Sequence, residues 1–146
     1  MSIIKITKQF SFEMAHALRN YDGLCRNIHG HSYKMDITLA GQPLQDESSP
    51  KNGMVMDFGD LKQLVNEEII SLLDHALVLN AKTDRQLIET LKQNYEKIVV
   101  VDFQPTTENL LGFIAKKIQS RLDSAVKLCC VRLRETDTSY AEWCAE

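Results

Sequence analysis

Three of the chain's four histidines, His16, His29 and His31, are candidates to bind one metal ion. His29 and His31 are two residues apart, so in a β-strand their imidazoles point to the same face. Catalytic zinc sites typically use three protein ligands and leave a fourth position for water or substrate. The sequence predicts such a zinc site, although a single histidine is more often an ordinary core residue and the spacing of two alone decides little.

Cys25 precedes His29 by four positions in an apparent loop. A thiol beside a metal ion carries more thiolate at neutral pH, which would equip Cys25 as a base or nucleophile. Alternatively, Cys25 is the fourth ligand of a closed, structural zinc site. The other cysteines, Cys129, Cys130 and Cys144, lie in or beside predicted strands and form no CxxC pair, so we interpret them as small buried apolar residues.

Two carboxylates accompany these groups. Asp74 directly precedes His75, and a carboxylate that orients an imidazole is a common general acid/base arrangement, although adjacent residues need not face each other. Glu135 is the last residue of a predicted strand, where a buried carboxylate would need a partner and an exposed one would not. The residues expected on its strand face are Cys129, Val131 and Leu133.

Two N-terminal strands must position the histidines. From Ile4 to His16 apolar residues occupy most even positions, and from His29 to Leu39 the odd positions are mostly apolar or histidine. An alternation of period two predicts strands with one buried face. His16 would end the first buried face, and His29 and His31 would begin the second.

The rest of the chain predicts helices followed by strands. After a polar loop at 42–52, a helix capped by Asp57 or Asp60 carries an apolar stripe to Leu72, and a second helix capped by Thr106 carries one to Leu122. A shorter helix at 84–95 and a strand-like run at 97–103 lie between them, and strands at 126–135 and 140–144 pair through a turn. We expect one α+β domain over residues 1–146, with helices on one face of an antiparallel sheet.

Composition excludes several classes of protein. The 146 residues carry a net charge of −3, which argues against broad binding to nucleic acid. No apolar run reaches the roughly 20 residues that a membrane helix needs, and the N-terminus lacks a signal-peptide pattern. We therefore expect a cytoplasmic protein with no membrane partner.

Six motifs in order along the chain resemble the 6-pyruvoyltetrahydropterin synthase family. They are Phe-Glu-Met-Ala-His at 12–16, Cys-Arg-Asn-Ile-His-Gly-His at 25–31, Gly-Met-Val-Met-Asp-Phe at 53–58, Leu-Asp-His at 73–75, Pro-Thr-Thr-Glu-Asn at 105–109 and Arg-Glu-Thr at 134–136. Together they include all four histidines and Cys25, the one cysteine outside the predicted strands.

The resemblance implies the tunnelling fold, in which a four-stranded antiparallel sheet carries two long helices on one face. Subunits of this fold assemble through trimers into a barrel, commonly as a homohexamer that is a dimer of trimers, with active sites at subunit interfaces. The sequence does not separate a trimer from a hexamer.

The resemblance also implies roles for the candidate residues. His16, His29 and His31 would hold zinc, Cys25 would move a proton on the substrate side chain, and His75, steered by Asp74, would exchange another. Glu135 would hold the amino-amide edge of a pterin, and Thr106 and Thr107 would line its pocket.

The gap of three residues between Cys25 and His29 is similar to that of the bacterial 6-carboxytetrahydropterin synthase branch. That branch converts 7,8-dihydroneopterin triphosphate to 6-carboxy-5,6,7,8-tetrahydropterin, releasing acetaldehyde and triphosphate, in queuosine biosynthesis. The alternatives are a 6-pyruvoyltetrahydropterin product or a non-catalytic zinc- or pterin-binding module.

Two features depart from the family pattern. Residues 80–104 are longer than in compact members, and Cys129-Cys130 has no role to transfer. The candidates for binding the triphosphate are Arg19, Arg26, Lys34, Arg132 and Arg134, and the sequence alone does not choose among them.

Overall fold

A computed structural model describes residues 2–146, and two long strands form its centre. Strand β1 (Ile4–His16) pairs antiparallel with β2 (His29–Gly41), so that Ile4 lies opposite Gly41 and His16 lies opposite His29. Side chains of one parity on each strand are buried, as their alternation predicts. The pairing places both histidine-bearing strand ends at the same end of these two central strands, a place here called the histidine corner.

The first predicted helix spans residues 58–73 in three segments. Helix α1 (Phe58–Val65) continues as a π-helical segment (Asn66–Ile70) and then as α2 (Ser71–Leu73). Asp57 caps it by accepting a hydrogen bond of 2.7 Å from the Gly59 backbone N–H, as expected for one of the two predicted caps. The helix ends immediately before Asp74.

Two further helices follow. Helix α3 (Arg85–Asn94) is capped by Asp84, and α4 (Thr107–Gln119) is capped by Thr106, whose hydroxyl accepts the Asn109 backbone N–H at 3.2 Å. Both helices were predicted, although α4 ends before Leu122. None of the helices among residues 2–146 is long and apolar enough to cross a membrane.

The sheet has six strands, and the prediction of a four-stranded antiparallel sheet is wrong in this respect. The remaining strands are β3 (Ala76–Asn80), β4 (Ile98–Val101), β5 (Val126–Thr136) and β6 (Ser139–Cys144). Their order is β4-β3-β1-β2-β5-β6, and β3 is parallel to both β1 and β4. The physical reason is that parallel pairing needs a crossover connection, which α3 supplies between β3 and β4, while β2 and the helix at 58–73 lie between β1 and β3.

The hydrophobic core lies between the sheet and helices α1 and α4. It contains side chains from β1, β2 and β5, such as Phe12, Met35 and Leu133, and from the two helices, such as Leu61 and Ile114. The arrangement confirms the α+β class and the placement of helices on one face. The histidines at the ends of β1 and β2 belong to the same buried face of the sheet as these core residues.

Strand β5 contains a bulge, and the prediction that Cys129 shares a strand face with Val131 and Leu133 is wrong. The register shifts so that Thr38 pairs with Cys130 while Leu39 pairs with Leu128. Cys129 is the extra residue, and the buried side chains are those of Leu128, Val131 and Leu133. Cys129 therefore does not share the buried face with Val131 and Leu133, because the bulge changes the alternation.

Candidate active site

Three imidazoles meet at the corner where β1 ends and β2 begins. The ring centroids of His16 and His29 are 4.6 Å apart, those of His29 and His31 4.9 Å, and those of His16 and His31 5.3 Å. One ligand nitrogen from each ring lies within 4.8 Å of the other two. The fold of one chain thus brings together all three predicted ligands.

Backbone carbonyls fix the protonation of two of these rings. His16 Nδ1 lies 2.7 Å from the Pro105 carbonyl oxygen, and His29 Nδ1 lies 2.7 Å from the Asn27 carbonyl oxygen. A carbonyl only accepts, so each Nδ1 carries the proton and donates it. In the neutral rings each Nε2 then keeps a lone pair, as in metal-binding histidines that donate their other nitrogen to a carbonyl.

The geometry and electrostatics fit a cation. His16 Nε2 and His29 Nε2 are 3.1 Å apart, and two nitrogens on one tetrahedral zinc at about 2.0–2.1 Å would be roughly 3.4 Å apart. Burial lowers the pKa of His16 despite its bond to Pro105, and the neighbouring histidines lower it further. Neutral imidazoles with converging lone pairs suit a divalent ion of the class that includes zinc.

His31 adds an unsatisfied nitrogen to this set. Its Nε2 is buried and has no hydrogen-bond partner among residues 2–146. Glu135 Oε1 lies 3.3 Å away, within ion-pair range but not aligned as a hydrogen bond. A buried nitrogen of this kind is costly unless a ligand satisfies it, which further supports a metal at the corner.

Cys25 lies in a short 3₁₀ turn (Leu24–Arg26) beside this corner. The loop is held by its own backbone, because the Leu18 N–H donates to the Cys25 carbonyl at 3.0 Å. Gln104 holds both backbone groups of Arg19, accepting its N–H at 3.1 Å and donating to its carbonyl at 2.7 Å. The Cys25 sulfur is outside the group of mutually close ligand atoms, which contains only the three histidines at this corner.

A cavity of about 390 Å³ joins Cys25 to other predicted site residues. Its walls include Thr106, Thr107, Glu135 and Tyr140. Because Glu135 also contacts His31, the cavity adjoins the histidine corner.

Glu135 and Thr107 form a hydrogen-bonded pair within this cavity. The Thr107 hydroxyl, on a residue only 7% exposed, donates to Glu135 Oε2. This bond leaves the carboxylate with further acceptor capacity toward the cavity. The Thr106 hydroxyl is already used as the cap of α4, so its contribution to the wall is chiefly steric.

Asp74 and His75 form a second cluster, at the turn between α2 and β3. Asp74 Oδ2 lies 3.1 Å from His75 Nδ1, and Asp74 Oδ1 accepts the Glu13 backbone N–H at 2.9 Å. The pKa of Asp74 is lowered, first because of the Glu13 N–H and then, against a smaller effect of burial, because of His75. The two adjacent residues do face each other, and the carboxylate is held in its charged form.

The backbone of His75 adopts φ = 63°, the left-handed region that few residues other than glycine enter. Its N–H donates to the Glu13 carbonyl at 2.6 Å, and Lys97 donates to the Asp74 carbonyl. The His75 side chain is nevertheless 77% exposed. Its cavity is lined by Glu13, Gly30 and His31, and no hydrogen bond or ion pair among residues 2–146 joins it to Cys25.

Sequence reasoning missed several residues that shape the site. Tyr33 is fully buried beside His31, with ring centroids 5.6 Å apart, and its hydroxyl has no partner among the described residues. Burial raises the pKa of Tyr33, so the phenol is neutral. A signal existed, since Tyr33 is the one hydroxyl on the apolar face that follows the two histidines. The carbonyls of Asn27 and Pro105 had no comparable signal, because side-chain patterns do not reveal backbone acceptors.

The candidate phosphate-binding residues divide between two places. Lys34, Arg132 and Arg134 line one cavity of about 410 Å³ on the polar face of the sheet. Arg132 is paired with Glu142. Arg19 and Arg26 belong instead to the Cys25 loop.

Comparison with known proteins gives a consistent result. Residues 5–146 match the family model for 6-pyruvoyl tetrahydropterin synthase. A 6-carboxy-5,6,7,8-tetrahydropterin synthase from Haemophilus influenzae is 36% identical over 97% of this chain and 99% of its own length. The structure of Caenorhabditis elegans 6-pyruvoyl tetrahydropterin synthase superposes with a TM-score of 0.67 at 26% identity, covering 100% of this chain and 98% of that one. A crystal structure of an uncharacterised Wolinella succinogenes protein reaches 0.80 at 24% identity and covers all of both chains, which supports the fold alone.

Proposed function

The chain belongs to the 6-pyruvoyl tetrahydropterin synthase family and is an enzyme of it, and we propose that it makes 6-carboxy-5,6,7,8-tetrahydropterin from 7,8-dihydroneopterin triphosphate. Acetaldehyde and triphosphate are the other products. The proposal includes zinc as the metal, a cytoplasmic location and a role in queuosine biosynthesis.

The observation that carries the proposal is the corner where three histidine nitrogens converge beside the Cys25 cavity. Two of the imidazoles are held by carbonyls with their lone pairs free, and the third has a buried nitrogen without a hydrogen-bond partner. A purely structural zinc site usually has four protein ligands. The group of close ligand atoms here has three, which favours a fourth position for substrate over a closed site.

When bound at His16, His29 and His31, zinc supplies Lewis-acid activation of the substrate side-chain hydroxyl groups. Cys25, in the adjoining cavity, accepts a proton from the side chain as a thiolate. Glu135, fixed by Thr107, accepts hydrogen bonds from the amino-amide edge of the pterin and so fixes its orientation.

Asp74 and His75 supply the second proton-transfer group in this proposal. The charged carboxylate orients the imidazole and stabilises its protonated form. No hydrogen bond or ion pair among residues 2–146 joins His75 to Cys25, and the exposure of its imidazole supports an assembly in which His75 of one subunit serves the cavity of another. We therefore propose a symmetric homo-oligomer, with a homohexamer as the leading form.

The choice between carboxy and pyruvoyl products rests on sequence. The three residues between Cys25 and His29 match the carboxy branch, and relatives from Haemophilus influenzae and Rickettsia typhi carry that name at 36% and 30% identity.

The test is turnover of 7,8-dihydroneopterin triphosphate by zinc-loaded protein, following acetaldehyde and the product mass. Acetaldehyde and a carboxy product, both absent with Cys25→Ala, are expected. A pyruvoyl product would assign the sister activity, and turnover unchanged in Cys25→Ala would refute the role of the thiol. Stoichiometric zinc without turnover of this substrate would favour a binding module.

A further inference from the structure

A pair of thiols lies at the far end of the β5–β6 hairpin, outside the site described above. Cys130 and Cys144 are directly opposite each other in the antiparallel register, and their sulfur atoms are 3.1 Å apart. Facing residues in such a ladder have Cα atoms about 4.5–5.5 Å apart, within the range of about 4.4–6.8 Å that a disulfide spans. The backbone therefore needs little movement to link them.

We propose that Cys130 and Cys144 form a reversible intramolecular disulfide, so that this hairpin carries a redox modification site distinct from the histidine corner. Cys144 is exposed and Cys130 is partly buried. An oxidant therefore reaches Cys144 first, and Cys130 is already in place as the resolving thiol.

The chemistry balances with a hydroperoxide as oxidant. The Cys144 thiolate attacks the peroxide oxygen, the O–O bond breaks, and a sulfenic acid and water (or an alcohol) form. The Cys130 sulfur then attacks the sulfenic sulfur, the S–S bond forms and the S–O bond breaks. The departing hydroxide takes the Cys130 proton and leaves as water. The two thiols lose two electrons, the peroxide gains them, and a dithiol reductant reverses the reaction by exchange.

The electrostatics match this order of events. The pKa of the Cys130 thiol is raised to about 12, first by burial and then by its hydrogen bond with Cys144 and the negative charge there. Burial and the contact with Cys144 therefore keep Cys130 protonated, whereas the exposed Cys144 is the thiol that an oxidant reaches first.

A metal site at the same place is the main competing hypothesis. Ligand atoms of Cys130, Glu142 and Cys144 lie within 4.8 Å of one another. However, Glu142 Oε1 already accepts a hydrogen bond from Arg132 Nε at 2.7 Å and forms an ion pair with a terminal nitrogen of Arg132 at 2.6 Å. Because this carboxylate is neutralised by a guanidinium, the geometry favours the disulfide.

Oxidation would affect a strand that also reaches the candidate active site. Strand β6 is at the edge of the sheet, and its first residues, Ser139 and Tyr140, line the Cys25 cavity. A covalent link at Cys144 would fix the far end of this strand to β5 and restrict its fraying. The disulfide closes a loop of about 15 residues, and we expect the oxidised protein to melt roughly 5–10 °C higher.

Peptide mapping of the full-length protein tests the site. The purified chain is treated with hydrogen peroxide, the remaining thiols are blocked, and the protein is digested with trypsin without reduction. The peptides 128–132 and 135–146 should appear as one linked species that dithiothreitol separates. Because 128–132 also contains Cys129, the same map is made with Cys129→Ser, Cys130→Ser and Cys144→Ser.

The link is expected in wild type and Cys129→Ser and absent from Cys130→Ser and Cys144→Ser. The rise in melting temperature on oxidation should follow the same pattern. A link through Cys129 or between chains, the absence of any link while Cys144 is oxidised to sulfinic acid, or a zinc ion retained by the reduced pair and lost in Cys144→Ser would each overturn the proposal. The wild-type map requires no substitution, so a misfolded variant does not remove the test.

Discussion

The histidine corner and the Asp74–His75 turn are both candidate reaction centres, but the chain builds them differently. At the corner, three rings converge on one point and two are held by carbonyls of the same chain. At the turn, the carboxylate is anchored, yet the His75 imidazole is 77% exposed. The three candidate metal ligands are thus brought together within one chain, whereas the His75 imidazole is anchored by Asp74 and is open to solvent.

The local structures explain this difference. His16 and His29 are opposite each other in a long antiparallel ladder, so strand pairing alone fixes their approach. His75 occupies a left-handed backbone position, which costs roughly 1–2 kcal/mol in an L-residue. Two hydrogen bonds with the backbone of Glu13 offset this cost: the Glu13 N–H donates to the Asp74 carboxylate, and the His75 N–H donates to the Glu13 carbonyl. Strain kept at an exposed histidine is typical of a functional position.

The largest expected effect is on metal binding, which should depend on the histidine corner and not on the Asp74–His75 turn. His29→Ala removes one ligand and should lower zinc affinity by at least about 100-fold and turnover by roughly 10⁴-fold, because Lewis-acid activation contributes several kcal/mol. Zinc per chain after gel filtration, measured by mass spectrometry of the metal, and turnover of the pterin triphosphate are the readouts. His75→Ala is the matched control and should retain one zinc per chain. Loss of zinc in His75→Ala would break the comparison.

Cys25→Ala tests whether the Cys25 thiol, in the cavity beside the histidine corner, performs proton transfer. We expect zinc content unchanged and kcat lowered about 10³-fold, within the usual range for a general base. Cys129→Ala is the control, because Cys129 is the bulged residue of β5 and lies outside the cavity. A Cys25→Ala protein that loses its zinc would instead favour the closed site with a sulfur ligand.

The sequence predicts best those features that depend on residues close together in the chain. The alternation along β1 and β2 predicts both strands, their buried faces and the convergence of the histidines, because strand geometry is periodic. Thr106 and Asp57 predict helix starts, because capping is local. The family motifs predict the pairing of Asp74 with His75 only as a role.

The parts that sequence reasoning missed depend on contacts distant in the chain or on small changes of register. The five-residue run of β3 gives no periodic signal, and its parallel pairing with β1 brings together segments about 60 residues apart in the chain, joined through β2 and the first helix. The bulge at Cys129 reverses which residues of β5 are buried, and neither the hydropathy pattern nor the residue types mark it. The Pro105 carbonyl contacts His16 across 89 positions, which no local pattern encodes.

Mixing two inactive variants tests whether the two regions cooperate across subunits. Cys25→Ala lacks the thiol, and His75→Asn lacks the imidazole while retaining a residue that tolerates the left-handed backbone. Each alone should lose about 10²-fold or more in kcat. After subunit exchange in equal amounts, about one quarter of wild-type activity should return, because random pairing joins an intact thiol to an intact imidazole at that frequency.

The control for this experiment mixes Cys25→Ala with His29→Ala. His29 and Cys25 belong to the same corner of one chain, so exchange should restore no activity. Two results would contradict an active site shared between subunits. One is recovery of activity in this control, and the other is no recovery in the Cys25/His75 mixture after subunit exchange has been verified.

The smallest effect concerns how firmly the turn is held. The pKa of Asp74 is lowered chiefly by the Glu13 N–H, so the charged carboxylate stabilises the folded state fully above its unfolded pKa of about 3.9 and loses this contribution as the pH falls through the folded pKa. Asp74→Asn should therefore destabilise the protein by about 1 kcal/mol or less at pH 7, after allowance for solvent screening, and the difference from wild type should shrink below pH 4. Urea unfolding across this pH range measures the difference in unfolding free energy. A chelator is present throughout, so that release of metal does not contribute to it. Glu47→Gln, at an exposed loop carboxylate with no ion pair among residues 2–146, should show no such difference. A difference for Asp74→Asn that grows on acidification would mean that its charge opposes the folded turn, and the anchoring by Glu13 would then not explain why the strained position of His75 persists.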